Sequence, residues 1–154
     1  MMSSLKTIKQ ELYRQCESFV DHKLKSVRKN IKELQEALQS ETKSTAGDKH
    51  ETGRAMLQLE REKTGNQLAE IEKTQRLLSK INIENTKETI GLGSVVYTSQ
   101  TNYFIAISAG ELIFENETFY AISAHTPIGQ LLMQKSVGDE VVFRGNRFKI
   151  KRVL

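Results

Sequence analysis

The sequence predicts an α+β protein: an antiparallel α-helical coiled-coil hairpin over residues 1–80, a linker over 81–90, and a small β-rich domain with one short helix over 91–154. Three observations carry this. Leu24, Val27, Ile31, Leu34 and Leu38 step by 3, 4, 3 and 4, the seam of a coiled coil. No Pro or Gly interrupts the chain from Leu5 to Ala46. From Gly91 the hydrophobic period changes from helical to the alternation of strands.

The first arm begins with Leu5, Ile8 and Leu12, and Cys16, Phe19 and Val20 carry its stripe through a phase shift of the kind an inserted stutter produces. The second arm presents Leu57, Thr64, Leu68, Ile71 and Leu78, with polar Arg61 and Gln75 at the intervening seam positions. Folding back about Gly47 and Asp48 pairs Leu38 with Leu57, Val27 with Leu68 and Leu24 with Ile71, a self-consistent register. At 1.5 Å per residue an arm of about 24 residues reaches roughly 36 Å. Gly65 within the second helix costs about 1 kcal/mol. Arms this polar have little hydrophobic surplus. A stalk that inserts into another body explains them, and so does a coiled coil that dimerises.

Composition bounds the class. At 38% hydrophobic and 27% charged residues the chain is too polar to bury one core along its whole length. It has no apolar run near the roughly 20 residues a bilayer requires, and Met-Met-Ser-Ser-Leu-Lys lacks an apolar signal region. Cys16 is single, and His22, His50 and His125 lie far apart, so neither a disulfide framework nor a Cys/His metal site is expected. The expectation is a cytoplasmic protein with no membrane partner. Residues 1–80 hold 16 Lys and Arg against 12 Asp and Glu, and residues 81–154 hold 7 against 7. The net charge of +4 therefore belongs to the arms, densest at Lys23, Lys25, Arg28, Lys29 and Lys32. Such a run serves as a solvated helix face or as a surface for nucleic acid or carboxylates.

Between the arms lies Ser44-Thr-Ala-Gly-Asp-Lys-His-Glu-Thr-Gly-Arg54, the only tight turn chemistry of the first eighty residues. Gly47 can supply a positive φ that ends the first helix. Asp48 suits the N-cap of the second, and Glu51, three residues on, completes a capping box. That is a full structural account of both carboxylates. The same geometry also serves chemistry, because two acids within one turn at a stalk's end can project past it. Mg²⁺ takes oxygen ligands and commonly only one or two carboxylates. Two are too few to hold the ion alone, but they can complete the shell of an ion held in another protein's active centre. His50 reads as a solvated tip residue.

The residues after Gly91 contain β runs at Ser94–Thr98, Asn102–Ser108 and Glu117–Ser123. Thr126-Pro127 starts a helix over Ile128–Gln134, with Thr as cap and Pro at the first helical position. Strands at Glu140–Arg144 and Arg147–Val153 flank Gly145-Asn146, a two-residue turn with Gly first. Phe148 and Ile150 face one way, and Arg147, Lys149 and Lys151 form the wet face. Some 64 residues make a marginal core. No nucleophile–base pair, phosphate loop or metal pattern stands out, and the domain reads as a docking module.

With these pieces placed, Ile122-Ser-Ala-His-Thr-Pro-Ile-Gly129 and Lys135-Ser-Val-Gly-Asp-Glu140 resemble segments of the GreA/GreB transcript cleavage factors. Their FKBP-like C-terminal domain carries Ile-Ser-x-x-Ser-Pro-x-Gly followed by Gly-Lys-x-x-Gly-Asp. Here Thr126 stands for the family's Ser, and Gln134 for the Gly before Lys135. The likeness covers about 91–154, and at the tip Gly47-Asp48-x-x-Glu51 resembles the family's Gly-Asp-x-x-Glu-Asn. The family's following Asn-Ala-Glu-Tyr is here Thr52-Gly53-Arg54-Ala55.

The resemblance implies that the hairpin enters the secondary channel of bacterial RNA polymerase while the C-terminal domain docks at its rim through Thr126, Pro127, Ile128 and Gly129. Asp48 and Glu51 would then help hold the second Mg²⁺, so that the polymerase cleaves its own backtracked RNA. The factor would stimulate hydrolysis without being an enzyme itself. It would lie close to the nascent RNA 3′ end and bind no specific DNA sequence. A Gre-like channel binder that modulates polymerase without cleavage stays open, as does a structural coiled-coil dimer. A prolyl isomerase is discounted, because no aromatic-lined pocket pattern is present and fold does not carry function.

Overall fold

The structure, a computed structural model, describes the backbone of residues 2–42, 48–84 and 87–154, and the side chains of 7–41, 51–84 and 87–154. Two long helices come first, α1 (Met2–Thr42) and α2 (Asp48–Ser79). There follow β1 (Val95–Thr98), β2 (Asn102–Ala106), β3 (Gly110–Phe114), β4 (Glu117–Ser123), α3 (Pro127–Leu132), β5 (Glu140–Phe143) and β6 (Asn146–Val153). The chain is α+β, with the long helices leading into a six-stranded mixed sheet and one short helix. It divides into two compact units, residues 20–76 and residues 1–19 with 77–154. No helix among the described residues is long and apolar enough to cross a membrane.

In the helical unit the seam is visible as burial. Val20, Leu24 and Val27 are buried, and Ile31, Leu34 and Leu38 are half-buried, continuing the alternation of threes and fours. Earlier in α1 the buried residues Ile8, Leu12, Cys16 and Val20 are each four apart. The expected stutter is therefore a run of four-residue steps, each of which turns the stripe by about 40° around the helix, where a 3.5-residue repeat drifts by only about 10°. On α2 the seam comprises Leu57, Arg61, Thr64, Leu68 and Ile71. Thr64 is buried because its hydroxyl has a partner, donating to the Glu60 carbonyl at 2.8 Å. Gly65 makes room for a neighbour: a Cβ there would stand 3.0 Å from Arg61 Nη1. Gln75, expected on the seam, is exposed, and Thr74 is half-buried instead.

The sheet order is β3-β4-β2-β1-β6-β5, antiparallel throughout except for the parallel β2–β4 pair. The chain reaches that parallel pairing by running to the edge as β3 and returning as β4. β3 had no counterpart among the expected strands. Its hairpin turns on Glu115-Asn116, with φ of 48° and 66°, a left-handed pair that usually advertises itself by glycine. Across one face lie Ile90, Val96, Ile105, Leu132, Val141, Phe148 and Ile150, with α3 packed against it. The opposite face carries Val95, Phe104 and Phe119, all fully buried. Within this unit the element left to cover that face is the start of α1, whose Ile8, Leu12 and Cys16 are themselves buried. The marginal core expected of 64 residues thus gains a helix.

Two local expectations need correction. Phe143 pairs with Asn146, so the last hairpin turns on Arg144-Gly145 rather than Gly145-Asn146. Their φ values of 52° and 81° place Gly second, as the mirror-image type I turn requires. The short helix is Pro127–Leu132 rather than Ile128–Gln134, because Met133 leaves helical geometry at ψ 134° and Gln134 turns to φ 68°. The alternation in the last strand holds, with Phe148 and Ile150 buried and Arg147, Lys149 and Lys151 exposed.

Candidate functional site

The tip is built by where the helices stop. α1 ends at Thr42 and α2 begins at Asp48, which places Asp48 and Glu51 in the first turn of α2. Residues three apart on a helix share a face, and the side chain of Glu51 is exposed. Residues 43–47, and the side chains of Asp48 and His50, lie outside the described residues. So do Gly47 as a positive-φ position and the capping box. The helix is continuous through Gly53. The Glu41 carboxylate lies against it, with Oε1 3.6 Å from where a Gly53 Cβ would be. Glu41 went unremarked in the sequence because it sits seven residues before Asp48 on the other arm. Among the described residues no group of three or more His, Cys, Asp or Glu is placed to hold a metal. Two tip acids fit an oxygen-loving ion only as partial ligands.

The corner between β4 and α3 contains the proposed docking residues. The Thr126 hydroxyl accepts from Gly129 N at 3.1 Å and donates to the Ser123 carbonyl at 2.8 Å, capping α3 as the Thr-Pro pair predicts. Pro127 is exposed, Ile128 is half-buried, and Gly129 is buried. A Cβ on Gly129 would fall 2.2 Å from the Ser123 oxygen and 2.9 Å from Thr126 Oγ1. Only glycine fits there. The segment after α3 is equally constrained: Gln134 N donates to the Ile90 carbonyl and Ile90 N to the Lys135 carbonyl, each at 2.8 Å. Gly138 has φ 95°, and Asp139 Oδ2 accepts from Ser136 N at 2.8 Å. The motifs that resemble the Gre factors are therefore turn chemistry with a structural purpose.

The start of α1 carries contacts the sequence did not reveal. Gln15 presents its amide to the free edge of β3 as another strand would, Nε2 donating to Ile113 O at 2.8 Å and Oε1 accepting from Ile113 N at 3.2 Å. Its second amide hydrogen goes to Glu11 Oε1 at 3.1 Å, and Glu11 in turn accepts two hydrogen bonds from Arg14. Hydrogen bonds from Arg14 and Gln15 hold the Glu11 carboxyl down at about 2. Tyr13 donates to the Leu78 carbonyl at 2.8 Å. Burial pushes the Cys16 thiol up to about 12 and the buried Lys9 ammonium below its usual range. The thiol is accordingly inert. The basic run on α1 (Lys23, Lys25, Arg28, Lys29 and Lys32) is exposed throughout.

Comparisons with known proteins give little. No family model matches the chain, and no curated protein matches it. Among solved structures, the crystal structure of GreA factor homolog 1 from Thermus thermophilus aligns over 88% of this chain and 92% of that one. The identity is 20% and the TM-score 0.35, a likeness that bears on neither fold nor function.

Proposed function

We propose that this protein is a Gre-like transcription factor that reaches the active centre of RNA polymerase through its secondary channel and stimulates cleavage of backtracked RNA. The observation that carries the reading is the tip: an Asp-x-x-Glu pair resembling the Gre acids stands in the first turn of α2, where helices of 41 and 32 residues meet. The fold-fixing segments around Thr126–Gly129 and Lys135–Glu140 support the same family. Mg²⁺ held by the polymerase would supply charge neutralisation and an activated water. Asp48 and Glu51 act as its partial oxygen ligands, and the exposed Glu51 needs no rearrangement to present its carboxylate. The chain contributes position and charge; the hydrolysis belongs to the polymerase.

A second reading, channel binding without cleavage, is favoured by one feature. Arg54, exposed one turn after Glu51, stands where the resembled segment has an acid. The test is cleavage of labelled RNA in stalled, backtracked complexes with polymerase from the same source, at fixed Mg²⁺. Asn caps a helix as well as Asp does. Asp48→Asn is therefore expected to bind and fold like the wild type while losing cleavage by about 100-fold, the scale of removing one group that stabilises transition-state charge. Equal cleavage by the two proteins would reduce Asp48 to a cap. Binding by both without cleavage would establish the modulator.

A further inference from the structure

The last strand carries charge that the fold does not use. Residues 81–154 hold seven Lys and Arg, and five of them, Arg144, Arg147, Lys149, Lys151 and Arg152, fall within nine residues that contain no carboxylate. All five are exposed. Cations on a strand commonly keep a free edge from pairing, but β6 lies between β1 and β5 and has no free edge. Strict alternation would turn Arg152 inward with Phe148 and Ile150. The register shift opposite Tyr97 and Thr98 prevents this, and Val153 packs against the core instead. Arg152 comes out beside Tyr97, its Cζ 5.9 Å from the ring centre. Arg147, Lys149, Lys151 and Arg152 thus share one face.

Little neutralises these charges. Glu140 lies across from Lys149 and reaches Arg147 at 3.4 Å, with both side chains exposed. Among the described residues no ion pair engages Arg144, Lys149, Lys151 or Arg152. The two arginines are held by rings instead, Arg144 Cζ lying 4.9 Å from the centre of Phe143. An aromatic face steadies a guanidinium without cancelling its charge.

We infer that this face binds the phosphate backbone of a single-stranded nucleic acid, without reading its sequence. Alternate residues of a strand stand about 6.6 Å apart, so Arg147, Lys149 and Lys151 form a straight row of charge at regular intervals. A nucleic-acid strand carries its own charge at regular intervals, whereas the carboxylates of an acidic protein surface have no fixed pitch. Composition points the same way. Contacts between proteins are depleted in Lys, and contacts with nucleic acid are strongly basic. The guanidiniums of Arg144 and Arg152 add planar surfaces on which unstacked bases can lie. α3 and the Thr126–Gly129 corner pack on the other face of the sheet, so this contact does not compete with docking there. The inference goes beyond the polymerase reading and stands without it, because it rests on β6 and its neighbours alone.

Fluorescence anisotropy of a short labelled single-stranded RNA of mixed sequence, titrated with the full chain over a series of salt concentrations, tests the inference. Three phosphates engaged by the row give a slope of log K against log salt of about −2 or steeper. Lys149→Gln with Lys151→Gln should flatten that slope by about 1.4, whereas Lys149→Arg with Lys151→Arg should keep it. Both positions are exposed, so circular dichroism should report an unchanged fold. Lys25→Gln with Lys29→Gln tests the basic run of α1 in the same way and should leave the slope as it is. Poly-L-glutamate of equal charge should bind more weakly than the RNA. Absence of RNA binding at low salt, a slope indifferent to the β6 glutamines, a slope flattened by the α1 pair in their place, or equal binding of polyglutamate would each overturn the proposal.

Discussion

Gln134 is the residue at which sequence and backbone disagree most usefully. It stands at φ 68°, with an exposed side chain and with its N–H engaged to the Ile90 carbonyl at 2.8 Å. That left-handed geometry costs an L-residue about 1–2 kcal/mol. The turn cannot relax out of it, because Ile90 N also closes on the Lys135 carbonyl. Gln134→Gly removes the steric cost and pays back about 0.4–1 kcal/mol in unfolded-chain entropy. The net gain is about 0.5–1 kcal/mol, or roughly 2–8 °C in Tm for a cooperative unit of this size. Calorimetry or denaturant unfolding of wild type, Gln134→Gly and Gln134→Ala would measure it. The alanine variant keeps the Cβ and should stay close to wild type. If glycine proves no more stable than alanine, the strain assigned to this position does not exist.

Two further outcomes follow from the same unit. Gly129→Ala should destabilise by about 3 kcal/mol, the upper range for overpacking, because its Cβ meets backbone held by Thr126; Gly91→Ala, with nothing within 4 Å, serves as the neutral control in the same unfolding titration. The Glu11 carboxyl lies at about 2, below its ordinary 4.5, so its contribution is complete above pH 4.5 and is lost as pH falls towards 2. Glu11→Gln should flatten that part of the stability–pH curve, measured by chemical denaturation between pH 2 and 6; an unchanged slope would show that other carboxylates produce it.

α1 was legible because no Pro or Gly lies in Leu5–Ala46 and its seam is spelled in apolar residues, whereas α2 was legible from a weaker seam that includes Arg61 and Thr64, in spite of Gly53 and Gly65. The β2 and β4 strands were legible for their aromatic and β-branched content. β3 was not. Gly110-Glu-Leu-Ile-Phe114 is a short edge strand, and it is followed by Glu-Asn at positive φ where a glycine would have marked the turn. The one-residue error at Arg144-Gly145 has the same origin, since a single glycine fits either of two mirror-image turns. Gln15 was illegible for another reason. Its partner Ile113 is 98 residues away, and a glutamine that imitates a strand edge has no local signature.

The structure separates what the Gre resemblance explains from what it leaves to experiment. Thr126 caps a helix, Gly129 admits no side chain, Gly138 takes a positive φ that favours glycine, and Asp139 closes a turn. Each of these would be kept by any protein with this corner, whatever it bound. Gln134 sharpens the point: where the resembled pattern has glycine, the backbone still demands a glycine-like φ. The C-terminal likeness is therefore a statement about folding. Asp48 and Glu51 differ in kind, because asparagine satisfies a cap as well as aspartate does, so capping alone does not require the Asp48 charge. The proposed function rests on those two carboxylates, and the Asp48→Asn comparison bears on it more directly than any substitution in the sheet.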